Sequence, residues 1–379
     1  MKRPLGLGDS HNFGRRVVPR GRRVEKPRTL VWEWLVLGRD SPLREVLGRP
    51  FDFLPRLGFF PRTGEVSRVS LRPLGALKRE GKLDLACITG RAIALFSWLG
   101  VSDLHWENLV LGADARGRIV FGPLDVEMIL ADLSLPTDTK LLPDADPEYA
   151  ELCRHSAGVR RVLPYLGKPV PASLLLAMAG AYRSTLALLD RDAAAIAAVI
   201  ARVPRLRETP IRVLLRATSE YVRARTEPVW PPLLDAESEQ LMRGDVPYFF
   251  RLLGRPGIHW FTEPTLRRLG RLPTRGDVPR LDPMLSLARK LRAPSRTTLR
   301  NEGLLTLLGA FDHPSLTGTH ATEDLSVTFG PRRLAVRFAT GEELRSPRDL
   351  SAIVGSVYLP CRCGEDRAVF ARARTHAPW

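Results

Sequence analysis

The side chains with the clearest chemical potential lie in one hexamer, Asp103-Leu104-His105-Trp106-Glu107-Asn108. An Asp carboxylate can take a proton from a hydroxyl group, and a neighbouring His can support that proton transfer. An Asn side-chain oxygen is a suitable ligand for a hard cation such as Mg²⁺. The combination of Asp103, His105 and Asn108 therefore suits the transfer of a phosphoryl group to a hydroxyl group.

The spacing within the hexamer is that of a kinase catalytic loop, in which an Asp precedes an Asn by five residues. With His105 two residues after Asp103, the form D-x-H-x-x-N is typical of the lipid-kinase branch of that fold. By itself the hexamer is weak evidence, because Asp, His and Asn also occur together in many ordinary loops.

A pair of carboxylates, Asp125 and Glu127, follows the apolar segment 119–121. Side chains two residues apart in extended backbone lie on the same side. Because Mg²⁺ prefers carboxylate oxygens and shares them with substrate phosphates, this pair is a candidate metal site together with Asn108. The alternative is an exposed turn that carries two acidic residues.

Glycines near the N-terminus and one lysine provide groups that a nucleotide would need. Gly6, Gly8 and Gly14 lack a Cβ, so their backbone can approach a ligand closely. Lys26 is one of only seven lysines among 58 basic residues. Since arginine does not conservatively replace an ammonium on phosphate, Lys26 is a candidate phosphate ligand. The alternative is a solvated lysine at the end of a strand.

The chain is strongly basic, with a formal net charge of +17 at pH 7, and the charge is unevenly distributed. Residues 1–30 carry nine basic and two acidic side chains, and residues 248–300 carry twelve and three. Residues 110–160 carry five basic and nine acidic side chains. This distribution favours a partner with phosphates or carboxylates, although a solvated basic surface explains it equally well.

Composition and cysteine positions exclude several other classes of protein. With 44% hydrophobic and 26% charged residues, the 379-residue chain is predicted to be globular. No secretory signal is visible, and Arg183 interrupts the apolar stretch 172–189, which argues against a membrane span. The four cysteines form neither a zinc-type pair of C-x-x-C motifs nor a disulfide framework, so we expect a reduced, cytoplasmic protein.

Hydrophobic periodicity and turn residues predict an α+β fold. The expected N-terminal elements are a hairpin over 13–35 with a turn at 19–21, loops over 38–80, a buried helix over 84–99 and a short strand at 119–121. Further along we expect mainly helix over 147–227, two helices over 282–310 and a hairpin over 324–340.

Taken in order, these motifs resemble the dehydratase domain of type 2 lanthipeptide synthetases, which has a lipid-kinase-like catalytic core. The family motifs are G-D-S-H-N-x-G-R-x-V, K-P-R, D-L-H-x-E-N, D-x-E, R-x-x-x-R-x-T and G-D-I-P-Y-F. They correspond in this chain to residues 8–17, 26–28, 103–108, 125–127, 212–218 and 244–249. Six short motifs in the right order make the match specific over residues 6–250, and little resemblance continues beyond Phe249.

The resemblance implies an enzyme that phosphorylates Ser and Thr of a ribosomally made precursor peptide, using ATP and Mg²⁺. It then eliminates phosphate and leaves dehydroalanine or dehydrobutyrine. The residues implied in phosphorylation are Lys26, Gly8 and Gly14 for the nucleotide, Asp103 and His105 for the hydroxyl group, and Asn108, Asp125 and Glu127 for the metal.

A second set is implied in the elimination step: Asp9, His11, Arg212 and Thr218. The chemistry agrees with this set, because a guanidinium holds a departing phosphate through bidentate contact. A His can also remove the α-proton near neutral pH. The residues alone do not say which group is the base.

The chain departs from the family pattern at several points. Only seven residues precede Gly8, so a stand-alone and N-terminally shortened dehydratase is expected. Glu25 stands where the family usually has Tyr, and a carboxylate beside Lys26 is expected to weaken ATP binding. The chain is too short for the family's cyclase domain, and Cys361 and Cys363 have the wrong spacing for its zinc ligands. Thioether rings would need a separate cyclase protein.

The predicted architecture is a two-lobed, lipid-kinase-like core with additional helices and a small β-containing segment at the C-terminal end. Residues 1–80 would form an N-lobe-like nucleotide-binding hairpin with loops, and residues 81–260 a C-lobe-like catalytic and elimination region. Residues 261–379 would be helical and then a β-hairpin, with no assigned role. The basic segment 248–300 would suit an acidic leader of the precursor peptide.

Three alternatives stand beside the dehydratase hypothesis. The first is a kinase-like phosphotransferase that leaves the phosphate on its product. The second is a degenerate pseudoenzyme, or a basic peptide-binding module. A nucleic-acid binder is least favoured, because the chain contains no recognisable reader motif.

Overall fold

Helices and antiparallel sheets alternate along the chain in the computed structural model, which confirms the predicted α+β class. The structure describes residues 7–60, 63–131, 135–143, 157–216, 218–229, 232–253, 255–272, 299–348, 356–360 and 370–374. Cys361, Cys363 and about half of the basic segment 248–300 lie outside these residues, as does the first part of the predicted helical segment 282–310.

The N-terminal segment forms a five-stranded antiparallel sheet in the order β1-β2-β3-β5-β4. Its strands are β1 (Leu7–His11), β2 (Arg15–Arg20), β3 (Arg23–Glu25), β4 (Phe59–Phe60) and β5 (Glu65–Ser67). The predicted hairpin is confirmed, since Val18 pairs with Glu25 across a turn in which Gly21 has φ 59°. A glycine adopts this left-handed conformation without steric cost.

Two short helices correct the prediction for the rest of this segment. Helix α1 (Val31–Leu37) replaces the end of the predicted hairpin, because the apolar residues Trp32, Leu35 and Val36 are buried together at helical spacing. Helix α2 (Pro42–Leu47) lies in the stretch 38–80 that was predicted as loops, and Ser41 caps it through a hydrogen bond from the Leu43 amide.

The central helix α3 (Arg79–Leu99) confirms the predicted buried helix and begins five residues before it. A three-residue helical turn at Trp106–Asn108 then leads into the hairpin of β6 (Leu109–Ala113) and β7 (Ile119–Pro123). Strand β7 contains the apolar segment predicted from the sequence, and β6 is its previously unassigned partner. This hairpin places residues 103–108 and 125–127 at the same end of its two strands.

Within the residues that the structure describes, six further α-helices follow. They are α4 (Leu163–Leu166), α5 (Ala172–Arg191), α6 (Ala193–Arg202), α7 (Thr218–Arg223), α8 (Asp235–Met242) and α9 (Glu302–Ala310). Helices α5 and α6 agree with the prediction of mainly helix over 147–227.

Helix α5 packs along α3 so closely that a Cβ on Gly90 would lie 2.1 Å from the Met178 carbonyl oxygen. In the described part of the chain, α5 alone is long and apolar enough to cross a membrane, by length and composition. Half of its apolar window is buried inside the protein, and the Arg183 guanidinium lies 3.4 Å from the centre of the Phe338 ring. These contacts are those of a core helix.

The described strands after α6 form three further sheets. One has the order β11-β10-β9-β8 and consists of β8 (Ile211–Val213), β9 (Phe249–Leu252), β10 (Arg255–Phe261) and β11 (Leu269–Arg271). The next is a meander of β12 (Gly318–Ala321), β13 (Leu325–Phe329), β14 (Arg333–Phe338) and β15 (Glu343–Pro347), followed by the pair β16 (Ser356–Pro360) and β17 (Phe370–Arg374).

The hairpin predicted over 324–340 is confirmed by β13 and β14, whereas β8 corrects the prediction of a mainly helical region. Arg212 lies in β8 opposite Phe250 of β9, and this distant pairing outweighs the local helical preference. One apolar cluster contains buried side chains from α1, α3, α5, α9 and β14 and so connects parts of the three predicted segments, while two smaller clusters lie at the sheet of β8 to β11.

Candidate functional site

Asp103 lies in a backbone conformation that its neighbours hold in place. Its φ is 64°, in the left-handed region that non-glycine residues rarely occupy. On one side, the Ser102 amide donates to the Met128 carbonyl, and on the other the buried Leu104 donates to the Thr139 carbonyl, both at 2.9 Å. Strain of this kind persists only where the surrounding structure determines it, and it is concentrated at functional sites.

The predicted catalytic loop is brought together as its spacing suggested. The Asn108 amide donates to the Asp103 carbonyl at 2.8 Å and to its carboxylate at 3.3 Å. His105 Nε2 lies 3.8 Å from the same carboxylate, which is 36% exposed. Burial raises the pKa of the Asp103 carboxyl, although His105 and Arg212 oppose the shift. A carboxylate with a raised pKa is better suited to keep a proton it has accepted.

Lys26 occupies the centre of a buried ion cluster. Its ammonium donates to the Leu124 carbonyl at 2.8 Å and lies 3.4 Å from Glu33 and 3.6 Å from Asp125. Arg28 contacts the same two carboxylates, at 2.5 Å from Glu33. The nucleotide motif at 26–28 therefore meets the first of the predicted metal carboxylates, although about 100 residues separate them in sequence.

The second predicted metal carboxylate, Glu127, joins this cluster to the elimination motif. It lies 2.9 Å from the guanidinium of Arg28 and 2.5 Å from that of Arg212. The Tyr248 hydroxyl donates to Glu127 at 3.4 Å, and the amide of Arg212 donates to the Glu127 carbonyl. Sites predicted from residues 26–28, 125–127 and 212–218 thus converge on one carboxylate.

Charge in the cluster is balanced between three cations and three carboxylates, which changes how its groups titrate. Burial alone would raise the pKa of Asp125, but Arg28 and Lys26 outweigh it and hold that pKa well below its usual range. Burial dominates at Glu33 and raises its pKa. Asp125 is 30% exposed and Glu127 only 12%, so Asp125 is the more accessible carboxylate.

His11 lies beside the elimination residue Arg212. Its Nδ1 is 2.8 Å from the Val246 carbonyl, and its ring centre is 5.7 Å from that of Tyr248, over which the Arg212 guanidinium also lies. Burial and the charge of Arg212 lower the pKa of His11, which favours the neutral imidazole.

Four predicted site residues remain, namely Gly8, Gly14, Asp9 and Thr218. Gly8 lies in β1, and Gly14 donates its amide to Asp245 in the turn after it. Asp9 is exposed next to His11, and Thr218 begins α7. Within the described residues, neither Asp9 nor Thr218 makes a side-chain hydrogen bond or ion pair with another predicted site residue.

A cleft of about 1310 Å³ opens beside Lys26, between the β2–β3 hairpin, the start of α1 and the loop 203–209. Lys26, Arg28, Arg15, Arg16 and Arg20 line it together with the apolar surfaces of Trp34, Phe59 and Leu30. Cations beside an apolar wall suit a ligand that carries both phosphates and a flat ring.

Glu25 also borders the cleft, but its carboxylate points to Arg20 at 2.9 Å, and both side chains are exposed. The carboxylate of Glu25 therefore pairs with Arg20 and not with Lys26, contrary to the expected interference. One arginine, Arg28, contacts the same two carboxylates as Lys26, Glu33 and Asp125.

Sequence reasoning missed Glu33 and Tyr248 as members of the site, and it assigned no role to Asp245. Glu33 lies in a stretch predicted as the end of a hairpin. Helix α1 instead places its carboxylate next to Lys26, seven residues earlier in sequence. Tyr248 and Asp245 lie in a motif that was matched without roles. A buried helix immediately after K-P-R was the signal that could have identified Glu33.

The donor set permits only part of the predicted metal site. Asn108 and the 30% exposed Asp125 supply oxygen donors, although Lys26 and Arg28 also contact Asp125, and Glu127 is engaged by two guanidiniums and a phenol. Among the described residues, no group of three or more His, Cys, Asp or Glu side chains is arranged to hold a metal ion.

No protein-family model matches the chain, and no curated protein matches it.

Proposed function

We propose that the chain is a lanthipeptide-type dehydratase that phosphorylates Ser and Thr of a precursor peptide and then eliminates the phosphate. The observation that supports this most is the contact of Glu127 with both Arg28 and Arg212. It brings the nucleotide motif and the elimination motif to one site, where a two-step reaction needs them. The proposed arrangement is a lipid-kinase-like pair of lobes.

Phosphorylation would begin with the peptide hydroxyl beside Asp103. The hydroxyl oxygen bonds to the γ-phosphorus of ATP while the bond from that phosphorus to its bridging oxygen breaks, and ADP leaves with the electron pair. The hydroxyl proton passes to the Asp103 carboxylate, whose raised pKa favours this transfer. His105, at 3.8 Å, would orient that carboxylate.

The cleft beside Lys26 supports a nucleotide in this role. Lys26 and the arginines of β2 would contact its phosphates, and the apolar wall near Trp34 would contact its base. Asn108 and Asp125 would hold Mg²⁺ in preference to Glu127, because Asp125 is the more exposed carboxylate. The metal, when bound, would neutralise negative charge on the phosphates.

Elimination would use His11 and Arg212. A neutral His11 removes the α-proton, the electron pair of that C–H bond forms the Cα=Cβ bond, and the Cβ–O bond breaks with its electrons on phosphate. The Arg212 guanidinium would hold the phosphate that leaves. Its ion pair with Glu127 keeps it beside the site of phosphorylation.

Nucleotide binding is the first test. Millimolar MgATP should raise the unfolding temperature of the purified chain, and Lys26→Ala should remove the increase. The absence of any stabilisation of the wild-type chain would contradict the proposal and favour a basic peptide-binding module. Lys78→Ala, a change at the exposed residue that precedes α3, is the matched control and should retain the increase.

Mass spectrometry is the second test. The chain is incubated with MgATP and synthetic peptides that have an acidic N-terminal half and a Ser/Thr/Cys-rich C-terminal half. A loss of about 18 Da marks dehydration, and a gain of about 80 Da marks a phosphate that stays on the peptide. A wild-type product that only gains phosphate would favour the phosphotransferase alternative.

Arg212→Ala separates the two steps. We expect this variant to accumulate phosphorylated peptide, because the guanidinium that holds the leaving phosphate is gone. Dehydration at the wild-type rate would remove Arg212 from the mechanism.

A further inference from the structure

One carboxylate from a distant part of the chain holds the turn after β1. Asp245, whose side chain is completely buried, accepts hydrogen bonds from the Ser10 hydroxyl at 2.7 Å and from the amides of Phe13 and Gly14 at 2.7 and 2.9 Å. Arg243 Nε adds a fourth contact at 3.1 Å. The first three donors are separated from Asp245 by at least 231 residues in sequence.

The turn needs such a partner because three consecutive residues have positive φ. The values are 49° at Asn12, 69° at Phe13 and 77° at Gly14. A side chain makes this conformation unfavourable for Asn12 and Phe13, so the surrounding structure must compensate. Successive amides in a turn form a concavity that binds an anion, and the carboxylate of Asp245 fills it.

The same segment fixes the ring of His11. The Val246 amide donates to the Ser10 carbonyl at 2.7 Å, and His11 Nδ1 lies 2.8 Å from the Val246 carbonyl. A carbonyl oxygen can only accept, so Nδ1 carries the hydrogen and a neutral ring has its lone pair on Nε2. This tautomer leaves Nε2 as the only ring atom that can act as a base.

We infer that Asp245 is a positioning residue: it locks the turn 10–14 and thereby holds His11 as the Nδ1–H tautomer, whose Nε2 takes the α-proton in elimination. The inference rests on the proposed dehydratase function for its chemistry, and on the contacts of Asp245 for its geometry. In that step the α-proton moves to Nε2, and the electron pair of the C–H bond forms the Cα=Cβ bond. The Cβ–O bond breaks with its electrons on phosphate.

The charged groups around His11 agree with a neutral ring. Arg212 lowers its pKa in addition to burial, while the carboxylates of Glu127 and Asp9 act in the opposite direction. Tyr248 contributes an aromatic face at 5.7 Å. Loss of the lock would move His11 relative to all four groups.

Nitrogen-15 NMR of histidine-labelled full-length chain tests the lock without any substrate. His11→Gln identifies the His11 signals, which in the wild type should show the Nδ1–H tautomer. In Asp245→Asn we expect a mixture of both tautomers, because the amide cannot accept from all the donors of the turn. Ser10→Ala removes a single donor and gives the same readout if Asp245→Asn does not fold. An unchanged Nδ1–H tautomer in a folded variant would overturn the inference.

Elimination is then measured directly on a synthetic phosphoserine peptide. We expect Asp245→Asn to form dehydroalanine at least about tenfold more slowly, since small misplacements of a reacting group can cost up to about a hundredfold. Arg56→Ala, which changes an exposed ion pair, should keep the wild-type rate. An undiminished rate in Asp245→Asn would contradict the inference. No elimination by the wild-type chain would contradict the proposed function, and the NMR result would still decide the role of Asp245.

Discussion

Two aspartates of this molecule differ in their burial and in the number of hydrogen-bond donors that surround them. Asp245 is completely buried, and four donors converge on its two oxygens. Asp103 is 36% exposed, has the amide of Asn108 at 3.3 Å and His105 at 3.8 Å, and lies at positive φ. One carboxylate is fully satisfied by the fold, and the other keeps capacity for a further hydrogen bond.

The opposite pKa shifts of these two groups express the same difference. Burial would raise the pKa of Asp245, but hydrogen bonds from Ser10, Gly14 and Phe13 lower it overall. Burial raises the pKa of Asp103, and no comparable set of donors offsets it. A carboxylate surrounded by donors stabilises structure, whereas one with few donors is available to accept a proton from substrate.

The largest effect should follow from changing the reactive member of this pair. Asp103→Asn keeps the shape of the side chain and removes its ability to accept a proton, so we expect phosphorylation to fall about 10²–10⁴-fold. Phosphate incorporation from labelled ATP measures the rate, and circular dichroism verifies the fold. Phosphorylation within a factor of about three of wild type would show that Asp103 is not the base.

A buried carboxylate with a structural role should instead affect stability. Glu237, 1% exposed, accepts from Arg216 at 2.9 Å and from the Tyr221 hydroxyl at 2.8 Å. Glu237→Ala leaves the Arg216 cation buried without its partner, so we expect urea unfolding to report a loss of about 3–5 kcal/mol.

The matched control for Glu237→Ala is an exposed ion pair. Arg56 and Asp52 are both more than 40% exposed, so Arg56→Ala should change the free energy of unfolding by less than about 1 kcal/mol. Equal losses in the two variants would contradict the distinction between buried and exposed carboxylates.

Acid unfolding should resolve the two aspartates by the sign of their effects. Asp245 has a lowered folded pKa, so its contribution is present above the ordinary Asp pKa of about 3.9 and is lost as pH falls through the folded value. Asp103 has a raised folded pKa, so its contribution is present below about 3.9 and is lost as pH rises through the folded value.

Unfolding of Asp245→Asn and Asp103→Asn between about pH 2 and 7 measures these slopes. Relative to wild type, we expect Asp245→Asn to lose its deficit as the pH falls. Asp103→Asn should gain stability as the pH rises, because it removes a charge that the fold accommodates poorly. Parallel curves for the two variants would contradict opposite roles for the two carboxylates.

The smallest effect should come from Glu25, which pairs with exposed Arg20 rather than with Lys26. Glu25→Gln should change the affinity for MgATP by less than about threefold, a range typical of an exposed ion pair. Isothermal titration with MgATP measures this affinity. A tenfold tighter complex would instead support the expectation that Glu25 weakens nucleotide binding through its charge.

Local features of the site could be predicted because they depend on neighbours in sequence. The spacing of Asp103 and Asn108 places their side chains within hydrogen-bonding distance in one loop. Alternating residues and Gly21 were enough to predict the β2–β3 hairpin. The apolar run within α3 was enough to predict a buried helix, since a continuous apolar segment of that length must be covered by protein.

Tertiary structure alone decided what the charged groups do. Arg212 pairs with Glu127 across 85 residues, and Asp245 binds Ser10 across 235, distances over which no sequence pattern specifies a contact. The strand β8 that carries Arg212 forms because β9 supplies its hydrogen-bonding partner. Sequence therefore determined which chemical groups the molecule has and which loops hold them. Folding determined which carboxylates are neutralised and which stays open, because burial and the pairing of charges exist only once distant segments meet.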